Sequence, residues 1–174
     1  INETQSKGGG IYCTGSSPTL TNIKITNNTA TTWGGGIHCE FTSNPVITDV
    51  FIMENSTNDT AWGQGGGLYC WYSAPKLPNG FIANNSSIKG GGVYLGQEGS
   101  WAKLTNVTIT DNNSVYGGGI WLGYLPPGTQ PADKPTVLNS IIWNNTPQQI
   151  YYSSEFVSNE MDISYSSIEG GLDS

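Results

Sequence analysis

Short segments in which apolar and polar residues alternate recur along the whole chain. Residues 20–25, Leu-Thr-Asn-Ile-Lys-Ile, are one example, and a period of two is typical of β-strands that bury one face. No helical segment lies between these strands, and no apolar run approaches the ~18 residues of a membrane-spanning helix. The pattern therefore predicts an all-β fold without membrane insertion.

Five copies of a glycine triplet followed by an aliphatic residue divide these segments. The copies start at Gly8, Gly34, Gly65, Gly90 and Gly117, which are 26, 31, 25 and 27 residues apart. An Ile-x-x-Asn motif precedes each following triplet, at Ile25/Asn28, Ile52/Asn55, Ile82/Asn85, Ile109/Asn112 and Ile142/Asn145. A degenerate sixth unit begins near Gln148. Because the two motifs keep a near-constant register, residues 1–174 are predicted to form a single repeat domain.

Stacked coils account for a repeat of 25–31 residues, which is too long for one hairpin. Strands of three to five residues, joined by Gly- and Asn-rich corners, would complete one turn. Each turn would then pair only with its two neighbours at ~4.8 Å. The sequence therefore predicts a right-handed parallel β-helix, a solenoid of about 5–6 coils.

Stacking places equivalent residues of successive coils in columns. Two columns are expected to point inward: Ile11, Ile37, Leu68, Val93 and Ile120, and then Cys13, Cys39, Cys70, Leu95 and Leu122. The residues between them, here called the ring column, are expected to face outward: Tyr12, His38, Tyr69, Tyr94 and Trp121. A further column, here called the Asn ladder, is expected to line an inner corner and to hydrogen-bond along the stack: Asn28, Asn55, Asn85, Asn112 and Asn145. The triplet glycines indicate positive φ or close approach between coils.

The two motifs resemble those of known repeat proteins. Gly-Gly-Gly-aliphatic followed by Ile/Phe-x-x-Asn is similar to the GGA[ILV] and FxxN repeats of the chlamydial polymorphic outer-membrane proteins. The ending, NSIIWNN followed by ISYSSIEGG, is similar to the last coils of bacterial secreted β-helix proteins of the choice-of-anchor type. The resemblance covers nearly all of the chain and implies a β-helix exported to the cell surface or beyond. It implies no reaction, because a fold carries no active site by itself.

The charge of the chain excludes two classes of expected partner. The chain has six Lys, no Arg and thirteen Asp plus Glu, for a net charge of −7. Nucleic acids and anionic membrane surfaces require clustered Lys and Arg, so neither is an expected partner.

An enzyme of the polysaccharide lyase or hydrolase type is the alternative to a structural role. A lyase needs a strong base beside Ca²⁺-binding carboxylates, whereas this chain has no Arg and only scattered Lys. A hydrolase needs paired carboxylates, and the outward candidates are Glu40, Glu54 and Asp111. Glu54 and Asp111 share a column but lie two coils apart, which is roughly 10 Å and near the upper end for an inverting pair. No catalytic residue is assigned.

The ring column has two interpretations. A stripe of exposed rings binds sugars or a partner protein, whereas rings stacked across coils stabilise the rod. Stacking alone is favoured, and His38, the single histidine, is interpreted as one of the stacked rings. Neither an HExxH pattern nor a Ca²⁺-binding loop is present, so no metal and no cofactor are expected.

Cysteine and sequon positions bear on an extracellular location. Cys13, Cys39 and Cys70 are interpreted as buried free thiols, with a Cys13–Cys39 disulfide as the alternative in an oxidising exterior. Nine Asn-x-Ser/Thr sequons occur. Among them Asn27, Asn84 and Asn144 precede a ladder residue and are the candidates for glycosylation.

Two further features are the Pro-rich insertion of residues 125–135 and the two ends of the chain. The insertion is expected to project as a loop, which is either simply a tolerated insertion or the place of a specific contact. The chain starts part-way round a coil without a recognisable cap. It is therefore expected to be part of a longer chain or to associate end to end into a filament.

These observations predict a non-catalytic, secreted structural or adhesive protein of the cell surface or exterior. A carbohydrate-binding or carbohydrate-active β-helix, with surface glycans as partners, is the alternative.

Overall fold

The chain winds into stacked coils of parallel strands. The computed structural model describes residues 6–96, 99–123, 134–153 and 161–171. The strands of the first three coils are β1 (Ile11–Thr14), β2 (Thr19–Thr26), β3 (Thr29–Ala30), β4 (Ile37–Glu40), β5 (Val46–Met53), β6 (Ser56–Thr57), β7 (Leu68–Trp71) and β8 (Lys76–Ala83). Those of the remaining coils are β9 (Val93–Leu95), β10 (Lys103–Thr110), β11 (Ile120–Leu122), β12 (Thr136–Leu138), β13 (Ile141–Trp143), β14 (Ile150–Tyr152), β15 (Asp162–Ser164) and β16 (Ser167–Ile168).

Two parallel sheets run along the stack. The short-strand sheet has the order β1-β4-β7-β9-β11-β14, which is one strand from each of six coils. The long-strand sheet has the order β2-β5-β8-β10-β12-β15, with β13 paired to β10 and β16 paired to β13. Strands β3 and β6 form a small third sheet. The predicted parallel β-solenoid is therefore confirmed.

The first four strands of the long sheet are eight residues long, whereas strands of three to five residues were expected. Each of these strands bends at one Asn or Asp with positive φ, for example 55° at Asn22 and 54° at Asp49. Asn and Asp tolerate this left-handed conformation better than other residues that carry a Cβ. Pairing therefore continues on both sides of the bend instead of stopping there.

The core is built from the predicted inward columns. Ile37, Leu68, Val93 and Ile120 are fully buried, and each such side chain contributes about 1.5–3 kcal/mol of hydrophobic free energy. The triplets lie at the corner that precedes the short strands. Gly65 has a φ of 67°, and a Cβ added to Gly66 would lie 2.5 Å from the carbonyl oxygen of Gly91. Both expectations for the triplet therefore hold within one copy, because its first glycine has positive φ and its second lies against the next coil.

The Asn ladder forms a chain of side-chain hydrogen bonds. Each amide nitrogen donates to the amide oxygen one coil further on, over 2.9–3.0 Å, along the series Asn28, Asn55, Asn85, Asn112 and Asn145. Asn145 then donates to Gln149 over 2.7 Å, and Gln149 donates to the carboxylate of Glu169 over 2.9 Å. The same side chains also bond the backbone of adjacent coils, so the ladder satisfies buried polar groups that would otherwise be costly.

In the described ranges, no helix is long and apolar enough to cross a membrane.

Candidate functional site

The ring column lies on the outer face of the short-strand sheet. Its members are in register on adjacent strands: Tyr12, His38, Tyr69, Tyr94 and Trp121. The ring centroids of Tyr69 and Tyr94 are 5.0 Å apart and those of Tyr94 and Trp121 are 4.5 Å apart, with planes within 3° of parallel. His38 continues the stack at 4.5 Å from Tyr69.

Of the two interpretations of this column, the exposed stripe does not describe four of its five members. His38, Tyr69, Tyr94 and Trp121 are only 0%, 3%, 5% and 8% exposed, whereas Tyr12 is 45% exposed. Rings that are one coil apart cover each other's faces. Three further aromatic residues pack against them: Trp33, Trp71 and Tyr151. The geometry therefore fits the stacking interpretation and offers little ring surface to a ligand.

Four polar side chains of the first two coils form what is here called the Glu40 cluster. The Glu40 carboxylate accepts hydrogen bonds from Lys7 Nζ at 2.9 and 3.2 Å, from the Tyr12 hydroxyl, and from His38 Nε2 at 3.1 Å. Glu40 points outward from its strand, as expected, but it is only 5% exposed. Lys7 also lies 5.1 Å from the ring centroid of Trp33. The buried charge of Glu40 is thus compensated by three hydrogen-bond donors, of which Lys7 is positively charged.

Burial and hydrogen bonds together set the protonation states of the Glu40 cluster near neutral pH. Burial raises the pKa of Glu40, but hydrogen bonds from Tyr12, Lys7 and His38 outweigh it, so the net pKa is lowered. Burial lowers the pKa of His38 against the opposing effect of Glu40. The hydrogen bond to Glu40 raises the pKa of Tyr12, which makes its hydroxyl a weaker acid than a free tyrosine. Glu40 is therefore charged, His38 is neutral and Tyr12 is protonated at pH 7.

A second row of Asn and Asp side chains follows the bend of the long-strand sheet and was missed in the sequence. This outer Asx row consists of Asn22, Asp49, Asn79, Asn106 and Asn139, all exposed. Asn79 donates to Asp49 over 3.1 Å, and Asn106 donates to Asn79 over 3.0 Å. The missed signal is its spacing, because each member lies six residues before an Asn ladder residue.

Beside this row lies a shallow groove of about 370 Å³, here called the Phe–Asx groove. Asp49, Asn79 and Asn106 form one side, and Phe51 and Phe81 form the other. The two phenyl rings are on adjacent strands with centroids 6.2 Å apart, and Phe51 is 42% exposed. The groove thus combines an apolar wall with a row of hydrogen-bonding groups.

The remaining carboxylate candidates do not form a pair in adjacent coils. Glu54 and Asp111 occupy the same exposed corner column with Asn84 between them, and Asp111 accepts hydrogen bonds from Asn144 and Thr110. Within the part of the chain that the structure describes, no three His, Cys, Asp or Glu side chains are grouped to hold a metal ion.

The candidate glycosylation sites and the thiols fall in different environments. Asn27, Asn84 and Asn144 are exposed corner residues with φ of 58°, 55° and 54°. The three thiols, Cys13, Cys39 and Cys70, are free and buried in adjacent positions of one inward column. The Pro-rich insertion lies outside the described residues except for Lys134 and Pro135.

Comparison with known proteins agrees with this architecture. The model of the family described as right handed beta helix region matches residues 2–124, which is more than half of the chain. A search of curated proteins and a search of solved structures found no match. Together with the parallel coils and the Asn ladder, the family match shows that the chain belongs to the right-handed β-helix family.

Proposed function

We propose that this chain is a non-catalytic structural and adhesive β-helix that acts outside the cell. The observation that carries the proposal is that one set of side chains joins the coils while a different surface stays accessible. The Asn ladder and the ring column join one coil to the next, whereas the outer face of the long-strand sheet leaves aromatic and amide groups accessible. The burial of Glu40 and its bonds to three donors support a role without catalysis, because they leave its carboxylate little access to a substrate. The resemblance to exported repeat proteins supports the location.

Carbohydrate binding is the second candidate function, and the Phe–Asx groove favours it over the ring column. Phe51 and Phe81 can pack against the C–H face of a sugar ring, while the amides of Asn79 and Asn106 can bond its hydroxyls. The row repeats once per coil, at ~4.8 Å, so it suits a chain that lies along the solenoid axis. Asp49 and the net charge of −7 favour a neutral polysaccharide over an anionic one.

Isothermal titration with neutral polysaccharides, and with polygalacturonate as the anionic comparison, tests this function. We expect Phe51→Ala and Phe81→Ala each to weaken binding about tenfold, which corresponds to about 1.4 kcal/mol of lost ring contact. Trp62→Ala is the matched control, because Trp62 is an exposed aromatic residue outside the groove. Equal loss in the control would contradict the groove, and release of new sugar ends during incubation would contradict a non-catalytic role.

End-to-end association into a filament stays a prediction. If the coil-to-coil contact continues between molecules, electron microscopy will show fibres of the coil's own width whose length grows with protein concentration. A single sharp peak of 18.6 kDa in gel filtration at micromolar concentration would count against assembly.

A further inference from the structure

In the Glu40 cluster, side chains that titrate connect two adjacent coils on the outer face of the short-strand sheet. Among the described residues, Glu40 is the only carboxylate carried by a strand of this sheet. The coils are numbered here by their short strands, from β1 in coil 1 and β4 in coil 2 to β14 in coil 6. Lys7 and Tyr12 come from coil 1, while His38 and Glu40 come from β4 in coil 2. Further along the same face, coils 2 to 5 contact each other through the stacked rings. Coil 1 differs because Tyr12 meets the His38 ring only edge-on, at 5.2 Å.

On this face of coils 1 and 2, the polar contacts of Glu40 thus stand where stacked rings join the later coils.

Each of these contacts depends on protonation. A proton on the Glu40 carboxyl takes up one of the lone pairs that accept from Lys7, Tyr12 and His38, and it removes the negative charge that Lys7 faces. The His38 ring is fully buried between Tyr12 of β1 and Tyr69 of β7, with Trp33 at 6.4 Å. Its Nδ1 is buried without a hydrogen bond of ordinary geometry from the described residues.

We propose that the Glu40 cluster is an acid-released clamp that holds coil 1 against coil 2. At neutral pH the carboxylate gathers its three donors and closes the clamp. In acid, a proton on His38 places a second positive charge beside Lys7 in a buried site, and a proton on Glu40 removes the anion that compensates both. The contact between β1 and β4 then loosens, while the contacts between the later strands of the same sheet stay closed.

The direction of the pH effect follows from proton linkage. Burial lowers the pKa of His38 below 6.5. Burial raises the pKa of Glu40, but its three hydrogen-bond donors outweigh burial and bring that pKa below 4.5. A group whose pKa is lower in the folded state binds protons better when unfolded, so its contribution to stability is complete above the unfolded pKa and is lost as the pH falls. We therefore expect loosening to start below about pH 6.5 with His38 and to continue below about pH 4.5 with Glu40.

Hydrogen–deuterium exchange of the whole chain tests the clamp through protection factors, which remove the intrinsic pH dependence of exchange. Between about pH 7.5 and pH 5 we expect at least a roughly tenfold loss of protection in β1, and no comparable loss in β10. His38→Phe keeps a ring in the stack but has no titratable group, so the loss in this pH range should disappear. Glu40→Gln should already show low β1 protection at about pH 7.5.

Glu54→Gln is the matched control, since it makes the same change on an exposed carboxylate of coil 2. It should leave β1 protection as in the parent chain. Protection of β10 in every variant shows that the solenoid itself has folded. Unchanged β1 protection from about pH 7.5 to pH 4 in the parent chain, or a pH response of His38→Phe identical to the parent's, would overturn the clamp.

Discussion

Gly66→Ala is expected to destabilise the solenoid strongly. The new Cβ would lie 2.5 Å from the carbonyl oxygen of Gly91 and 2.6 Å from that of Ser86. Both obstacles are backbone atoms held in place by hydrogen bonds between coils, so neither can rotate away as a side chain could. We expect a loss of at least about 3 kcal/mol in the free energy of unfolding, which lowers the melting temperature by roughly 6–12 °C.

Gly80→Ala is the matched control for this prediction. It is the same substitution in the same coil, but its Cβ would meet Val50 and Val107 at 3.5 Å, which is ordinary van der Waals contact. A residue with more restricted unfolded states and a new apolar contact should leave stability unchanged or raise it by up to about 1 kcal/mol. Urea unfolding of the two variants measures the difference. Similar losses in both would show that the triplet glycines do not act through close backbone approach.

Asn85→Ala is expected to have the second large effect. The Asn85 amide donates to the carbonyl of Ile52 and to Asn112, and its oxygen accepts from the backbone and side chain of Asn55. Alanine removes the acceptor of two buried Asn55 N–H groups on one adjacent coil, and it removes one donor each from the Ile52 carbonyl and from the Asn112 oxygen. Each stranded group costs about 1–3 kcal/mol, so a total loss of about 4 kcal/mol is expected in urea unfolding.

Asn84→Gly is the matched control, because it changes the exposed residue beside Asn85 and leaves the ladder amide in place. Asn84 precedes Asn85, is exposed and has a φ of 55°, which glycine adopts without strain. This variant should change stability by less than about 1 kcal/mol. If it is as damaging as Asn85→Ala, the loss in Asn85→Ala does not come from the buried amide in particular.

Most of the fold could be predicted because the determinants repeat in register. The Gly triplet and the Ile-x-x-Asn motif mark two corners of every coil, and alternation marks the strands between them. The bend in the long strands was not predicted, because Asn22 and Asp49 lie inside segments with a strand-like pattern. The only trace of the bend in the pattern is one step of three between inward residues, as from Ile47 to Val50, before the step of two to Ile52.

The candidate site was less predictable, and the reasons are physical. Alternation correctly places Tyr94 and Trp121 on the outer face of the coils, but outward orientation is not the same as exposure. Exposure depends on the rings one coil away and on residues such as Trp33 and Trp71 that approach from other parts of the coil. The contact between Lys7 and Glu40 likewise joins residues 33 positions apart, and no local pattern encodes it.

The side chains of the Asn ladder form a dipole along the axis of the solenoid. Every amide in it points one N–H toward coil 6 and its oxygen toward coil 1, so the side-chain dipoles add along the axis. The positive end of this series meets a negative charge, because Gln149 passes the chain of bonds to the carboxylate of Glu169. Each bond polarises the next. Turning over one amide in the middle, such as that of Asn85, would set two N–H groups against each other on one side and two oxygens on the other. The backbone fixes the same direction at every position from Asn55 to Asn145, because each of these amide oxygens accepts from a backbone N–H and each nitrogen donates to a backbone carbonyl.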